Sequence, residues 1–171
     1  MIPTNDLVYA YRITRLPLLD AGGVAIGKID DVVIVAGRGS EAPRVLGFVS
    51  SSQRRRIFIS AARVAAVDNS GVRLKSFDID LKPFLVREGE RLIASDLLDK
   101  KVGEETVVDV ALQHQGGHHP GWSVTHVRLA KRGALLTRPS FRLVPWTECA
   151  TLFAPSTPVA AEAARLRGMH P

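Results

Sequence analysis

Apolar residues in this chain fall into short β-branched runs separated by frequent turn residues, the pattern of strands rather than helices. The clearest run is Gly27-Lys28-Ile29-Asp30-Asp31-Val32-Val33-Ile34-Val35, entered through Gly27 and left through Gly37 and Gly39. Ile29, Val33 and Val35 alternate to one pleat face, Val32 and Ile34 to the other, so the strand is covered on both sides or curls within a barrel. Before it, Leu16 to Leu19 is a short apolar run, and Asp20-Ala21-Gly22-Gly23 is turn chemistry, so the pair reads as a hairpin. Phosphate loops follow a strand and open a helix, so this glycine-rich segment, which precedes a strand, is not one.

Further hairpins follow. Val45 to Val49 is a strand with Gly47 inside it, a sign of a bulge or of another backbone close by. Ser50 to Arg56 is a basic hairpin tip, and Ile57-Phe58-Ile59 returns from it. Val64 to Val67 and Val72 to Leu74 flank the turn Asp68-Asn69-Ser70-Gly71. Pro83 argues against a long helix over 77–86, and Leu92 to Leu98 reads as a helical turn or two capped by Ser95 or Asp96.

Then the pattern returns. Glu105 to Gln113 lines up under residues 27–35, with Asp109 under Asp31. At the same spacing Val124-Thr125-His126-Val127 falls under Leu46-Gly47-Phe48-Val49, so Thr125 stands for Gly47. Leu143 to Glu148 falls under Ile57 to Ala62 after a longer basic hairpin, Lys131 to Arg142. A single unit of this size has a marginal core, so two are expected to pack together and cover each other's apolar faces. The expected fold is all-β with minor helix. It comprises two small barrel or sheet halves, 1–75 and 76–153, then a linker and the start of a helical segment over 154–171.

Composition narrows the class. No apolar run approaches the ~20 residues of a membrane span, and the N-terminus lacks the basic-then-apolar order of a signal peptide, so a cytoplasmic protein is expected. Cys149 is the one cysteine, which excludes an internal disulfide. It lies in an apolar stretch and reads as a buried thiol, since a nucleophile needs a nearby base. Net charge is +6 over the whole chain, with the excess concentrated before residue 76. That permits an acidic protein, RNA or anionic lipid as partner and selects none of them.

The candidate chemistry is sparse. Arg54, Arg55 and Arg56, with Lys131 and Arg132 in the corresponding hairpin, form a candidate basic docking surface. Aromatic residues are 6% of the chain, too few for base stacking, which argues against nucleic acid as partner. His114, His118 and His119, with His126 beyond, are a weak alternative metal set, and a solvated loop explains them better. Asp30 and Asp31 point to opposite faces of a strand and cannot act on one substrate. A carboxylate there more readily binds backbone N–H groups at a turn or bulge, and Asp109 reads likewise. Ser123, Ser140 and Thr147 lack the setting of an activated nucleophile. Trp122 and Trp146 read as packing anchors. No catalytic residue, metal or cofactor is expected.

Residues 13–67 resemble the PRC-barrel domain, named for the photosynthetic reaction-centre H subunit and similar to the C-terminal module of the ribosome-maturation factor RimM. The resemblance rests on Leu16-Pro-Leu-Leu-Asp20, Gly27-Lys-Ile-Asp-Asp31-Val-Val-Ile34, Arg44-Val-Leu-Gly-Phe-Val49 and Arg54-Arg-Arg-Ile-Phe-Ile59. The second half matches less closely, lacking the glycine of position 27 and carrying Thr125 for Gly47. The whole arrangement is similar to the cytoplasmic N-terminal region of actinobacterial MgtE-type magnesium-transporter-like proteins, where two such halves precede a linker and a helical domain. Arg87-Glu-Gly-Glu90, Ala94 to Val102 and Ala163 to Pro171 carry that part of the likeness. Magnesium sensing in those proteins belongs to other domains, so no metal ligand carries over. The resemblance implies a non-enzymatic cytoplasmic regulatory or interaction module that contacts a protein partner or neighbouring domains. It would meet a membrane only through the full-length protein, and a homodimer is compatible with it. The alternative it implies is an RNA- or ribosome-associated factor similar to RimM.

Overall fold

In the computed structural model the described residues are 7–77, 83–115, 121–134 and 137–154. They form an all-β protein with minor helix, a nearly closed barrel-shaped sheet. The strands of the first half are β1 (Val8–Tyr9), β2 (Pro17–Leu19), β3 (Ala25–Val35), β4 (Arg44–Ser52), β5 (Arg55–Ser60), β6 (Val64–Asp68) and β7 (Gly71–Leu74). Those of the second are β8 (Glu90–Leu92), β9 (Lys101–Val102), β10 (Glu105–Gln115), β11 (Gly121–Lys131) and β12 (Ser140–Pro145). Among the described residues helix is confined to short segments: α1 (Ala10–Ile13), 3-10 segments at Ala61–Arg63 and Trp146–Phe153, the latter kinked at Cys149, and a π turn at Ile93–Leu97. The sheet runs β1-β10-β11-β4-β3-β2-β7-β6, with β12 on β11, β5 on β4, β8 on β3 and β9 on β10.

β3 is apolar on both faces as expected, but the bulge between Ile29 and Asp31 puts Ile29 on the face of Val32 and Ile34 rather than with Val33. Ile29, Val32 and Ile34 enter the main core with Phe48, Val110, Leu112, Val127 and Val144. That one core draws on both halves. Val33, Val49 and Leu92 form a smaller cluster on the other face, packed by Leu46, Phe58 and Phe84. At roughly 1.5–3 kcal/mol per fully buried aliphatic or aromatic side chain, the shared core supplies most of the drive to fold.

The two halves pair in step. β3 bulges against β4 at Asp30, between Ile29 and Asp31, and β4 bulges against β3 at Leu46, opposite Val33 and Ile34. β10 bulges against β11 at Val108, between Val107 and Asp109, and β11 bulges against β10 at Thr125, opposite Ala111 and Leu112. These registers move part of the alignment by one residue. Val33 opposes Gly47, and Ala111 opposes His126, so His126 rather than Thr125 holds the place of Gly47. Likewise Val49 faces Phe58 while Arg128 faces Leu143, so Leu143 corresponds to Phe58. The extra residue lies in the loop between β10 and β11, where strand pattern alone leaves the register free.

The two halves exchange strands: each lends its leading strand to the other. β1 pairs with β10, Val8 opposite Leu112 and Tyr9 opposite Ala111. β8 pairs with β3 in the matching places, Arg91 opposite Ile34 and Leu92 opposite Val33. After β1 the chain crosses back through α1 to pair β2 with β3, and after β8 it crosses through the π turn to pair β9 with β10. The helical turn expected over Leu92 to Leu98 is a π turn, Ile93–Leu97. Its closing bond runs from Leu98 N to the Ile93 carbonyl, one residue longer than the Thr14 N to Ala10 carbonyl bond that closes α1. A π turn absorbs a single added residue without breaking the ladder on either side.

Candidate functional site

Two buried carboxylates hold the crossovers. Asp31 Oδ1 accepts from Val32 N at 2.8 Å and from Ala94 N at 2.7 Å. Its Oδ2 accepts from Ser95 N at 3.0 Å and Ser95 Oγ at 2.8 Å. The β3 bulge turns this side chain toward the π turn, whose leading N–H groups have no partner within the turn. Ser95 is therefore a donor to Asp31 rather than a cap, and Asp96 Oδ2 accepts from Leu92 N instead. Asp109 plays the matching part, its Oδ1 accepting from Tyr11 N and Val110 N, each at 2.9 Å. Burial pushes the Asp109 carboxyl above its ordinary value against those N–H groups and Arg128, which pull it down. Both aspartates accept from backbone N–H groups, Asp31 also from the Ser95 hydroxyl; Asp30, on the opposite face, takes Ser51 Oγ at 3.2 Å and Arg56 Nε at 3.9 Å.

The basic candidates divide. Arg54 occupies the tip of the β4–β5 hairpin with Gln53, both at positive φ (69° and 50°), and Arg55 is exposed beside it. Arg56 is taken up by Asp30 and by the Phe84 ring, whose centroid lies 5.5 Å from its guanidinium. Lys131 faces Glu104 at 3.7 Å, both exposed, so solvent screens the pair. Arg132 is exposed at the end of the matching hairpin. Among the described residues, no hydrogen bond, ion pair or ring contact joins the first basic set to the second. Arg142, from the same hairpin, is bidentate to Glu105 at 2.7 and 2.8 Å. That partner holds the Glu105 carboxyl below its ordinary value.

His114 stands edge-on to Trp122 at 5.2 Å, while His118 and His119 lie outside the described residues. Among the described residues, no group of three or more His, Cys, Asp or Glu side chains converges as a metal cage would require. Cys149 is buried and its thiol is pushed up by burial and Glu148. The linker and start of a helical segment expected over 154–171 lie, past Ala154, outside the described residues.

Two surface features of the second half remain. The first is β12. In the first half the outer edge of β5 is occupied: Pro83 bridges to Ile57, and Phe84 N donates to the Arg56 carbonyl at 3.0 Å. β12 pairs with β11 alone among the described residues. It leaves Phe141 53% and Leu143 37% exposed, with the Arg128 guanidinium 4.9 Å from the Phe141 ring centroid.

The second is a cleft of about 660 Å³ where β1, β10, β11 and the end of β12 meet. Leu7, Ala42, Val124, Pro145 and Trp146 give it apolar walls. Gln113, Gln115, Thr125, His126 and Thr147 bring polar groups to it. Thr125 Oγ1 and His126 Nδ1 share a hydrogen bond of 3.0 Å. In the first half the same ground is filled, because the Phe58 ring lies against Gly47, 2.7 Å from where a Cβ would sit. His126 and the smaller Leu143 replace that pair. No charge pattern marks the cleft in the sequence. The one signal is Gln113, a polar residue closing the apolar run Val107 to Leu112.

The fold and these surfaces define an all-β barrel protein. Compared with known proteins, the chain matches no family model, no curated protein and no solved structure. Among the described residues no helix is long and apolar enough to cross a membrane.

Proposed function

We propose that this protein is a non-enzymatic interaction module, built from a duplicated β unit, that docks an extended segment of a protein partner along β12. The observation that carries the reading is the contrast between the two equivalent edges. β5 already receives the chain at Pro83 and Phe84, whereas β12 presents Phe141 and Leu143 beside an edge unpaired among the described residues. An extended segment added to such an edge gains main-chain hydrogen bonds and places alternate side chains on the apolar row. The resemblance to PRC-barrel proteins extends the proposal to a cytoplasmic regulatory module of an MgtE-type magnesium-transporter-like protein, with that protein's neighbouring domains as partner.

The test is co-purification with the remaining domains of the transporter-like protein, expressed separately. Retention is expected for the native chain and loss for a Phe141→Glu, Leu143→Glu variant that keeps its melting temperature. No retention, together with unchanged magnesium transport on deleting this region, refutes the reading. A dimer by sedimentation that the same two substitutions dissolve assigns the edge to a second copy and also counts against it.

A further inference from the structure

We propose that the cleft beside β11 binds a small uncharged molecule with a planar amide or lactam edge, of nicotinamide or nucleobase size. This inference is independent of the β12 edge. Gln113 is 4% exposed, and its side-chain amide makes no hydrogen bond among the described residues, although it lines the cleft. No buried side-chain polar atom among the described residues lacks a partner, so the Gln113 amide opens onto the cleft and is hydrated there; a ligand carrying one acceptor and one donor replaces that water in kind. The amide group offers that complementary pair from one planar edge. Trp146 gives the cleft a flat apolar wall, and Thr125 and His126 stand at the bulge opposite. Bulges re-aim side chains in this way at the margins of binding sites. The lining holds no lysine, arginine or carboxylate, so an ionised ligand would be desolvated without compensation. The volume, about 660 Å³, lies in the range of small-molecule sites.

Nicotinamide and uracil are the probes, with nicotinate as the charged isostere, titrated at pH 7.5 against a Trp122→Phe protein in which Trp146 is the sole tryptophan. Saturable quenching below about 1 mM is expected for at least one neutral probe, with nicotinate at least tenfold weaker. In the native chain the same probe should shift the Gln113 side-chain NH₂ resonances while those of Gln53, at the distant hairpin, stay in place. Gln113→Leu should weaken binding at least tenfold, and Arg54→Ala should leave it unchanged. The Gln113 resonances decide the matter even if Gln113→Leu does not fold. Absence of saturation by either neutral probe up to 10 mM, equal binding of nicotinate, or unmoved Gln113 resonances at saturation would overturn the proposal.

Discussion

Asp31 and Asp109 occupy matching places, yet replacing each by asparagine should have unequal effects. Asp31 uses both oxygens, Oδ1 for Val32 N and Ala94 N and Oδ2 for Ser95 N and Oγ. Asparagine keeps one oxygen and puts an NH₂ group where Oδ2 stood. The Ser95 hydroxyl can rotate to accept from it; the Ser95 N–H cannot, and two donors then face each other in a buried site. One stranded N–H costs about 1–3 kcal/mol, and the charge-assisted character of the remaining bonds is lost as well. Asp31→Asn should therefore destabilise by about 2–4 kcal/mol. In Asp109 both recorded N–H donors converge on Oδ1, so an asparagine carbonyl keeps both. Asp109→Asn also removes a charge that burial disfavours, and should stay within about 1 kcal/mol of the native chain. Urea unfolding followed by circular dichroism measures both. For a chain of this size each kcal/mol moves Tm by about 2–4 °C. Equal losses in the two variants, or a silent Asp31→Asn, would refute the clasp.

Other predictions follow from single features. The Asp109 carboxyl is raised in the folded state, so the native chain binds its proton more tightly than the unfolded one. Stability should fall as pH rises from the ordinary aspartate range through the raised value, and pH-dependent unfolding of Asp109→Asn should lack that slope. Gly47→Ala should cost about 1–3 kcal/mol in urea unfolding, because its Cβ meets the Phe58 ring and the Ile59 carbonyl. Gln53 and Arg54 form a tight turn at positive φ; Gln53→Asn with Arg54→Gly relieves it and should raise stability by about 1 kcal/mol in thermal melts. An RNA-associated role would require steeply salt-dependent binding lost on substituting Arg54 to Arg56. With Arg56 engaged by Asp30 and Phe84, filter binding at low salt should instead show a flat response.

Much of the fold was legible in the chain because strand signals are local. The β-branched run of β3, the Asp20 turn and the Asp68 to Gly71 hairpin each declare themselves within a few residues. The repeat of β3 in β10 was legible for the same reason, as both strands alternate around an aspartate. The structural use of those aspartates was also readable in kind: a carboxylate inside an apolar strand needs donors, and backbone at a bulge supplies them.

What surrounds each strand was not legible. The donors to Asp31 lie at Ala94 and Ser95, and those to Asp109 at Tyr11 and Val110, and sequence spacing does not say which half a short strand joins. The one-residue shift that gives His126 the place of Gly47 depends on the length of the loop between β10 and β11, which does not alter the apolar pattern. The candidate sites divide along the same line. Arg54 to Arg56 stood out as a run of charge, but contact with Asp30 and Phe84 sets Arg56 apart. Gln113, Thr125 and Trp146 meet at the cleft because Leu143 leaves open what Phe58 fills. Local alternation determines which residues form strands. Long-range pairing, with the volume of each side chain it brings together, decides which surfaces remain open.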